Sequence, residues 1–512
     1  MTAQLNILSL IIWTPVLAGL MFLLLARHVT LSNKLRYAPL LISLLSVAYI
    51  TFAFYNFTLN TAQMQLQEHI MWMPTLGIEY ALGVDGFAIL LTALTIFMTL
   101  LVILAAFTHV KREQFLTYCA SFLIMQGLMC GVFLATDAIL FYVFFEAMMI
   151  PMFLIIGIWG AENRIYATFK FMLYTLFGSL FFLIALLYLH KVATSNGLIG
   201  TESFAIASFQ NLTLDLATQK WLFWAILIAF AVKIPMWPVH TWLPDAHTEA
   251  PTGGSMILAA ITLKIGGYGM LRFLLPIVPA GCAFFANTII ILSLVAIAYI
   301  SLITLVQQDL KKLVAYSSIA HMGFVTLGLF VACKVITVNN GPQIAVTGID
   351  GAVLQMLAHG FISGAMFLCV GILYVRMHTR AINQYGGVVN TMPLYASFLM
   401  LFALANVGMP GTIGFVGEFF VILATFKAGF WYALIASSSL VLGVAYTLWM
   451  YKRVVFGEVV NHAVTALSDL SINEKIACAL LAAAVILFGV WPNPLLNVMR
   501  GSSQQLAMQL SK

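Results

Sequence analysis

Charge is what this chain most lacks: only 8% of its 512 residues are charged, 23 Lys and Arg against 17 Asp and Glu, while 62% are hydrophobic. A water-soluble chain carries roughly 25% charge, so a soluble surface is excluded. Cysteine is scarce as well. The six, Cys119, Cys130, Cys282, Cys333, Cys369 and Cys478, stand alone in apolar runs without a C-x-x-C spacing. That rules out a disulfide scaffold and an iron–sulfur set, and leaves them as packing residues. No dinucleotide fingerprint, P-loop or H-E-x-x-H motif occurs, so the chain itself is expected to hold no nucleotide, flavin or metal and to bind no nucleic acid. Gly266-Gly267-Tyr268-Gly269 lies inside an apolar run, where small residues let neighbouring helices approach.

What is abundant is apolar length. A bilayer core needs about 20 apolar residues per helix. Runs of that size fill the chain near 5–26, 36–57, 83–108, 114–135, 138–159, 166–189, 221–240, 252–274, 283–305, 313–333, 350–375, 391–427, 430–451 and 475–492. The expected fold is therefore an all-α membrane protein of about 14 transmembrane helices. The first run ends at Arg27 without a positive leader or cleavage site, and reads as a retained helix. Alternate loops hold fourteen Lys and Arg, among them Lys111, Arg112, Arg164, Lys170, Lys311, Lys312, Arg376 and Arg380, against seven on the other side. The positive-inside rule then puts both termini on the non-cytoplasmic side.

Lys233 and Lys264 belong to neither side, because they fall inside helices. Glu146 lies nine residues beyond Asp137 and sixteen before Glu162, roughly 13 and 24 Å along a helix. Lys264 lies roughly 22 and 12 Å from Glu249 and Arg272 on the same reckoning. Ionisable groups at such depth mark functional sites by default. Lys233 is followed by Pro235 and Pro238, which interrupt its helix. A second interruption, Gly408-Met409-Pro410-Gly411, precedes Glu418 in the twelfth run. Both broken helices stand fourth in a set of five, so the chain is expected to hold two inverted five-helix repeats with discontinuous helices 7 and 12, as in transporters with midplane sites. The expected units are 1–110, three N-terminal helices; 111–275, the first repeat; 276–457, the second; and 458–512, helix 14 and a tail. The plainer alternative is that the prolines only kink their helices.

Histidines add groups that exchange protons near neutral pH. His321 follows Ser317 and Ser318 by about one turn, His359 sits in the eleventh span, and His240 and His247 flank the loop 241–246 after the first break. A lone buried histidine is commonly structural; these four gain weight from Glu146, Lys233, Lys264 and Glu418. Charge movement is the chemistry that such a set can carry.

The run from Lys233 to Phe273, containing Lys233-Ile-Pro-Met-Trp-Pro-Val-His240, Leu-Pro-Asp-Ala-His247 and Thr-Leu-Lys264-Ile-Gly-Gly-Tyr, resembles the signature of the antiporter-like subunits of respiratory complex I. Phe144-Phe145-Glu146-Ala147-Met148, Tyr316-Ser-Ser-Ile-Ala-His321 and Met409-Pro-Gly-Thr-Ile-Gly-Phe-Val-Gly-Glu418 resemble its fifth-, tenth- and twelfth-helix motifs, and the likeness runs over essentially all fourteen helices. The resemblance implies a proton-translocating subunit of the membrane arm of NADH:quinone oxidoreductase, in a bacterial inner membrane. NADH, FMN, iron–sulfur clusters and quinone would sit on other subunits. The implied partners are the other membrane subunits, especially the homologous L and N chains, which carry Lys where this chain has Glu418, together with membrane lipid and protons. The physical reading agrees and supplies roles: Glu146 opposite Lys233 would hold the lysine charged, the proton would pass to Lys264 and through His321 and His359 to Glu418, and His240 and His247 would line the inner access path. Two other readings stay open: a D-type subunit of a multi-subunit cation/proton antiporter, expected to carry Lys at position 418, and a passive scaffold.

Overall fold

A computed structural model describes residues 6–26, 34–195, 204–459 and 461–511. Leu5, Arg27 and Lys512, used above to bound a span and to count charges, lie outside the described residues. The helices are α1 (Ile7–Leu25), α2 (Leu35–Tyr55), α3 (Gly86–His109), α4 (Arg112–Leu134), α5 (Ala138–Trp159), α6 (Arg164–Ser195), α7 (Leu216–Lys233), α8 (Trp242–Glu249), α9 (Thr252–Ile277), α10 (Pro279–Leu305), α11 (Leu310–Val335), α12 (Gly341–Met377), α13 (Pro393–Asn406), α14 (Ile413–Ala428), α15 (Phe430–Val455), α16 (Ile472–Val490) and α17 (Asn493–Leu510), with one extra turn at Ile206–Gln210. Thirteen helices among the described residues are long and apolar enough to cross a membrane. The remaining expected span, 391–427, is the pair α13 and α14, of 14 and 16 residues, neither long enough alone.

Short polar residues start several helices. Asp85 accepts from Ala88 N at 2.9 Å, Asp309 from Lys312 N at 3.0 Å, and Ser471 forms a capping box with Glu474. Asp137 caps α5 through Ile139 N and Leu140 N, both at 2.9 Å, and is nearly buried. Desolvation pushes its carboxyl up from 3.8 to about 6, against its backbone hydrogen bonds. The folded state thus holds a proton that the unfolded chain releases, and stability falls as pH rises from about 4 through 6. Asn can serve as the same cap without the charge. We expect Asp137→Asn to melt later than wild type at pH 7.5, by at most about 3 kcal/mol, and to lose that advantage toward pH 4. Thermal melting of the detergent-solubilised protein at the two pH values checks it.

Two elements depart from the all-α expectation. Gln65–Met73 (β1) and Ile78–Val84 (β2) form an antiparallel hairpin in the connection before α3. Its Glu68 accepts from Leu8 N at 2.8 Å and Ser9 N at 3.1 Å, capping α1, whose own N-cap Asn6 makes no side-chain bond. The expected tail is α17, amphipathic and too polar to read as a span, laid against α3 and α12; Ser502 Oγ accepts from Gly86 N at 3.2 Å.

Burial sorts the bundle. Within their most apolar windows α9, α11 and α12 are 94%, 89% and 100% buried, whereas α2, α15 and α16 are near 30% and turn side chains such as Trp431 and Val441 outward. The central helices are also those that carry Lys264, His321 and His359.

Candidate functional site

The first break ends α7 at Lys233, and the chain resumes helically at Trp242. Trp242 Nε1 donates to Val232 O at 2.9 Å, meeting one carbonyl freed by the break. The Lys233 side chain is fully buried, its Nζ without a hydrogen-bond partner among the described residues, 4.7 Å from the centre of the Phe145 ring. The negative end of α7 and that π-face both favour the ammonium. Glu146, one residue on from Phe145, acts on Lys233 through space and has Ser179 within hydrogen-bonding reach. No ion pair closer than 4 Å joins them among the described residues, so the implied opposition is electrostatic and not a contact.

Lys264 lies on α9 between two π-helical stretches, Leu258–Thr262 and Met270–Leu274, a backbone irregularity common at functional sites. Its Nζ donates to Ala259 O at 2.5 Å and meets His359 Nδ1 of α12 at 2.6 Å. The rings of His359 and His321 are centred 6.0 Å apart. His321 Nδ1 on α11 then meets Glu418 Oε1 at 2.8 Å, and Gln355 Nε2 donates to the same oxygen at 3.3 Å. Glu418 stands in the second turn of α14, just past the second break. Gly408 and Gly411 take positive φ in that break, the conformation glycine adopts freely. A cavity of about 10 Å³, room for roughly one water, lies among His321, His359, Gln355, Asn406 and Glu418. Four of the eight expected residues thus follow one another, Lys264 touching His359 and His321 touching Glu418, with the two imidazole rings 6.0 Å apart between them, drawn from four helices.

The others stand apart from that chain. His240 is buried in the connection between α7 and α8. His247 does not end a loop: residues 242–246 already belong to α8, because Pro244 falls in its first turn, where proline needs no N–H partner. His247 is completely buried and stacked on Phe367 at 4.6 Å, with both ring nitrogens unpaired among the described residues. The hydroxyls of Ser317 and Ser318 donate to Val314 O, and Ser318 also meets Ser363 Oγ at 3.1 Å; their recorded bonds do not go to His321.

Sequence reasoning missed Gln355, whose amide reads as any polar residue in an apolar run, and Lys311, which reads as a loop charge. It also missed the pairs Asp85–Arg272 at 2.8 Å and Arg376–Glu474 at 2.7 Å, joined across the fold. No cluster of three or more His, Cys, Asp or Glu able to hold a metal occurs among the described residues.

The sequence profile of the family described as NADH:quinone oxidoreductase/Mrp antiporter, TM, matches residues 135–443. Over 498 residues the chain is 46% identical to NADH-quinone oxidoreductase subunit M of Rhodobacter capsulatus, covering 95% of this chain and 94% of that one. It is 40% identical over 502 residues to NADH-ubiquinone oxidoreductase chain 4 of Marchantia polymorpha, covering 98% and 96%. A chain of the solved respiratory complex I from Thermus thermophilus with bound NADH is similar in structure, with a TM-score of 0.87, 29% identity and coverage of 99% and 100%.

Proposed function

The chain belongs to the NADH:quinone oxidoreductase/Mrp antiporter family of membrane subunits, and from that premise we propose that it is the M-type, chain-4-like subunit of complex I and moves protons along its buried Glu, Lys and His groups. The observation that carries this reading is the series Lys264–His359–His321–Glu418 in the buried centre of the bundle, two direct contacts joined across a 6.0 Å step between the imidazole rings beside a cavity with room for roughly one water. Full-length likeness to subunit M and the glutamate at position 418 favour it over a D-type antiporter subunit.

The groups act in order. Lys233 keeps its proton while Glu146 is charged; neutralising Glu146 leaves the ammonium uncompensated in low dielectric and drives its proton toward Lys264. Lys264 can give its proton to His359 along a contact already made. His321 relays it to Glu418, which releases it to the non-cytoplasmic side when water enters the second break. The two breaks, in units 111–275 and 276–457 read as inverted copies, supply the places where water meets freed backbone groups. Moving one charge against 100 mV takes about 2.3 kcal/mol. Quinone reduction on other subunits, which carry NADH, flavin and iron–sulfur chemistry, is the source of that energy. L and N chains and lipid would surround this one, with both termini on the non-cytoplasmic side of a bacterial inner membrane.

If this holds, an affinity-tagged copy drawn from membranes in mild detergent brings NADH:quinone reductase activity with it and migrates in a large band on native electrophoresis. Migration only as a monomer, without that activity, would contradict the assignment.

A further inference from the structure

Between α3, α4, α9 and the ends of α11 and α12 lies a recess of about 290 Å³, bordered by His109, Lys111, Tyr118, Glu249, Lys311 and Arg380. It is on the side where the positive loops gather. Lys311, in the first turn of α11, belongs to its wall yet is only 2% exposed. Its Nζ donates to Ala250 O at 2.5 Å, and no carboxylate stands within 4 Å of it among the described residues. Asp309 and Glu249 act on it through space while making their direct contacts elsewhere. Asp309 meets Arg380 Nε at 3.2 Å and caps Lys312 N; Glu249 meets Arg380 at 3.7 Å and accepts from Asn163 N at 2.9 Å. Arg380 also donates to Thr248 O, so one guanidinium gathers α8 and the start of α11 beside the recess.

A lysine that served only as an anchor would be expected to take a carboxylate partner, since an unpaired buried cation is costly. What Lys311 has instead is a neighbour able to take its proton. Ala250, whose carbonyl it holds, is three residues beyond His247, a rise of roughly 4.5 Å on the end of α8. His247 has two unpaired ring nitrogens and lies within electrostatic reach of both Lys311 and Lys264. The imidazole is therefore near both the lysine at the recess and the lysine that begins the buried series.

We propose that Lys311 is the inner proton-uptake group of this chain, taking protons from the recess and passing them through His247 to Lys264. In each turn an N–H bond of the Lys311 ammonium breaks, with its electron pair remaining on Nζ, and a new N–H bond forms at the free nitrogen of neutral His247. The imidazolium then gives the proton on its other nitrogen to the Lys264 amine, a turn of the neutral ring returns the free nitrogen to the Lys311 side, and Lys311 is reprotonated from water in the recess. No oxidant or further reactant is needed. The inference rests on the proton-translocation reading above and adds to it the point of uptake.

Three substitutions separate a carrier from an anchor, in sealed vesicles containing the whole complex, with NADH-driven proton uptake and quinone reduction measured on the same membranes. Lys311→Arg keeps a cation and a donor for Ala250 O, and the recess gives it room, but arginine does not release its proton. Its uptake per NADH oxidised is expected to fall on the order of 10²-fold. Lys311→Gln, which keeps only the donor, should fall alike and decides the matter where arginine blocks assembly. Lys311→His, able to exchange a proton, should recover part of the loss. Wild-type uptake in Lys311→Arg or Lys311→Gln overturns the inference. Lys264→Met in the same preparation keeps the two levels distinct. If it loses uptake while Lys311→Arg does not, only the uptake role of Lys311 fails; if both pump as wild type, the translocation reading fails with it.

Discussion

Replacing Lys264 by methionine is expected to abolish NADH-driven proton uptake, a loss on the order of 10²-fold, while the complex still assembles and still passes electrons from NADH to an artificial acceptor that bypasses quinone. Assembly should survive because methionine nearly fills the volume, and His359, left without its partner, can remain neutral. Lys264 makes no ion pair among the described residues, so its removal strands no opposite charge and relieves the cost of burying an unpaired one. Pumping should not survive, because the 2.6 Å contact from Lys264 Nζ to His359 Nδ1 joins the ionisable group of α9 to the histidine pair. Fluorescence quenching of a pH-sensitive dye in sealed vesicles reads the loss. Uptake at the wild-type level, with Lys264→Met verified in the assembled complex, would leave the lysine a packing residue.

The second large effect concerns the other end of the series. Glu418→Ala removes the acceptor for His321 at 2.8 Å and for Gln355 at 3.3 Å, and should lose most pumping. It also leaves two buried polar groups unpaired, at about 1–3 kcal/mol each, so assembly must be checked beside activity. Glu418→Asp retains an exchangeable carboxyl and should keep substantial uptake. Glu418→Lys should keep part of it, since a lysine at this place can also carry a proton. The informative member is Glu418→Gln, which has nearly the shape of glutamate and no proton to exchange. It should behave like Ala in pumping and like wild type in assembly. A scaffold role for Glu418 predicts the reverse: glutamine as good as glutamate.

Much of this was legible along the chain because each signal is local. The lack of charge and the lengths of the apolar runs give the membrane helices directly. Proline at 235 and 238 and Gly-Met-Pro-Gly at 408–411 give the breaks, since neither pattern can continue a helix. Lys233, Lys264 and Glu418 stand out because ionised groups are rare at their depth. What could not be read was pairing. Lys264 and His359 are 95 residues apart and His321 and Glu418 are 97, and no periodicity records which helix faces which. The distance between Glu146 and Lys233 was unreadable for the same reason, and the lysine proves to sit on Phe145 instead of on a carboxylate. Lys311 escaped notice because a charge next to Lys312 at the start of a run looks like a loop residue; its burial comes from α8 folding back under it. The hairpin 65–84 and the helix Asn493–Leu510 are too short or too polar for a search tuned to apolar length.

The central claim is that buried groups of this chain gain and lose protons during turnover, and Glu418 allows it to be observed in place. Infrared difference spectra of the reconstituted complex, recorded with and without NADH and quinone, resolve the C=O stretch of a protonated carboxyl from the bands of a carboxylate. Wild type is expected to show a carboxyl band that changes with turnover and disappears in Glu418→Gln. A complex that pumps at the wild-type rate while the same band is absent, or is unaltered by Glu418→Gln, would contradict the account.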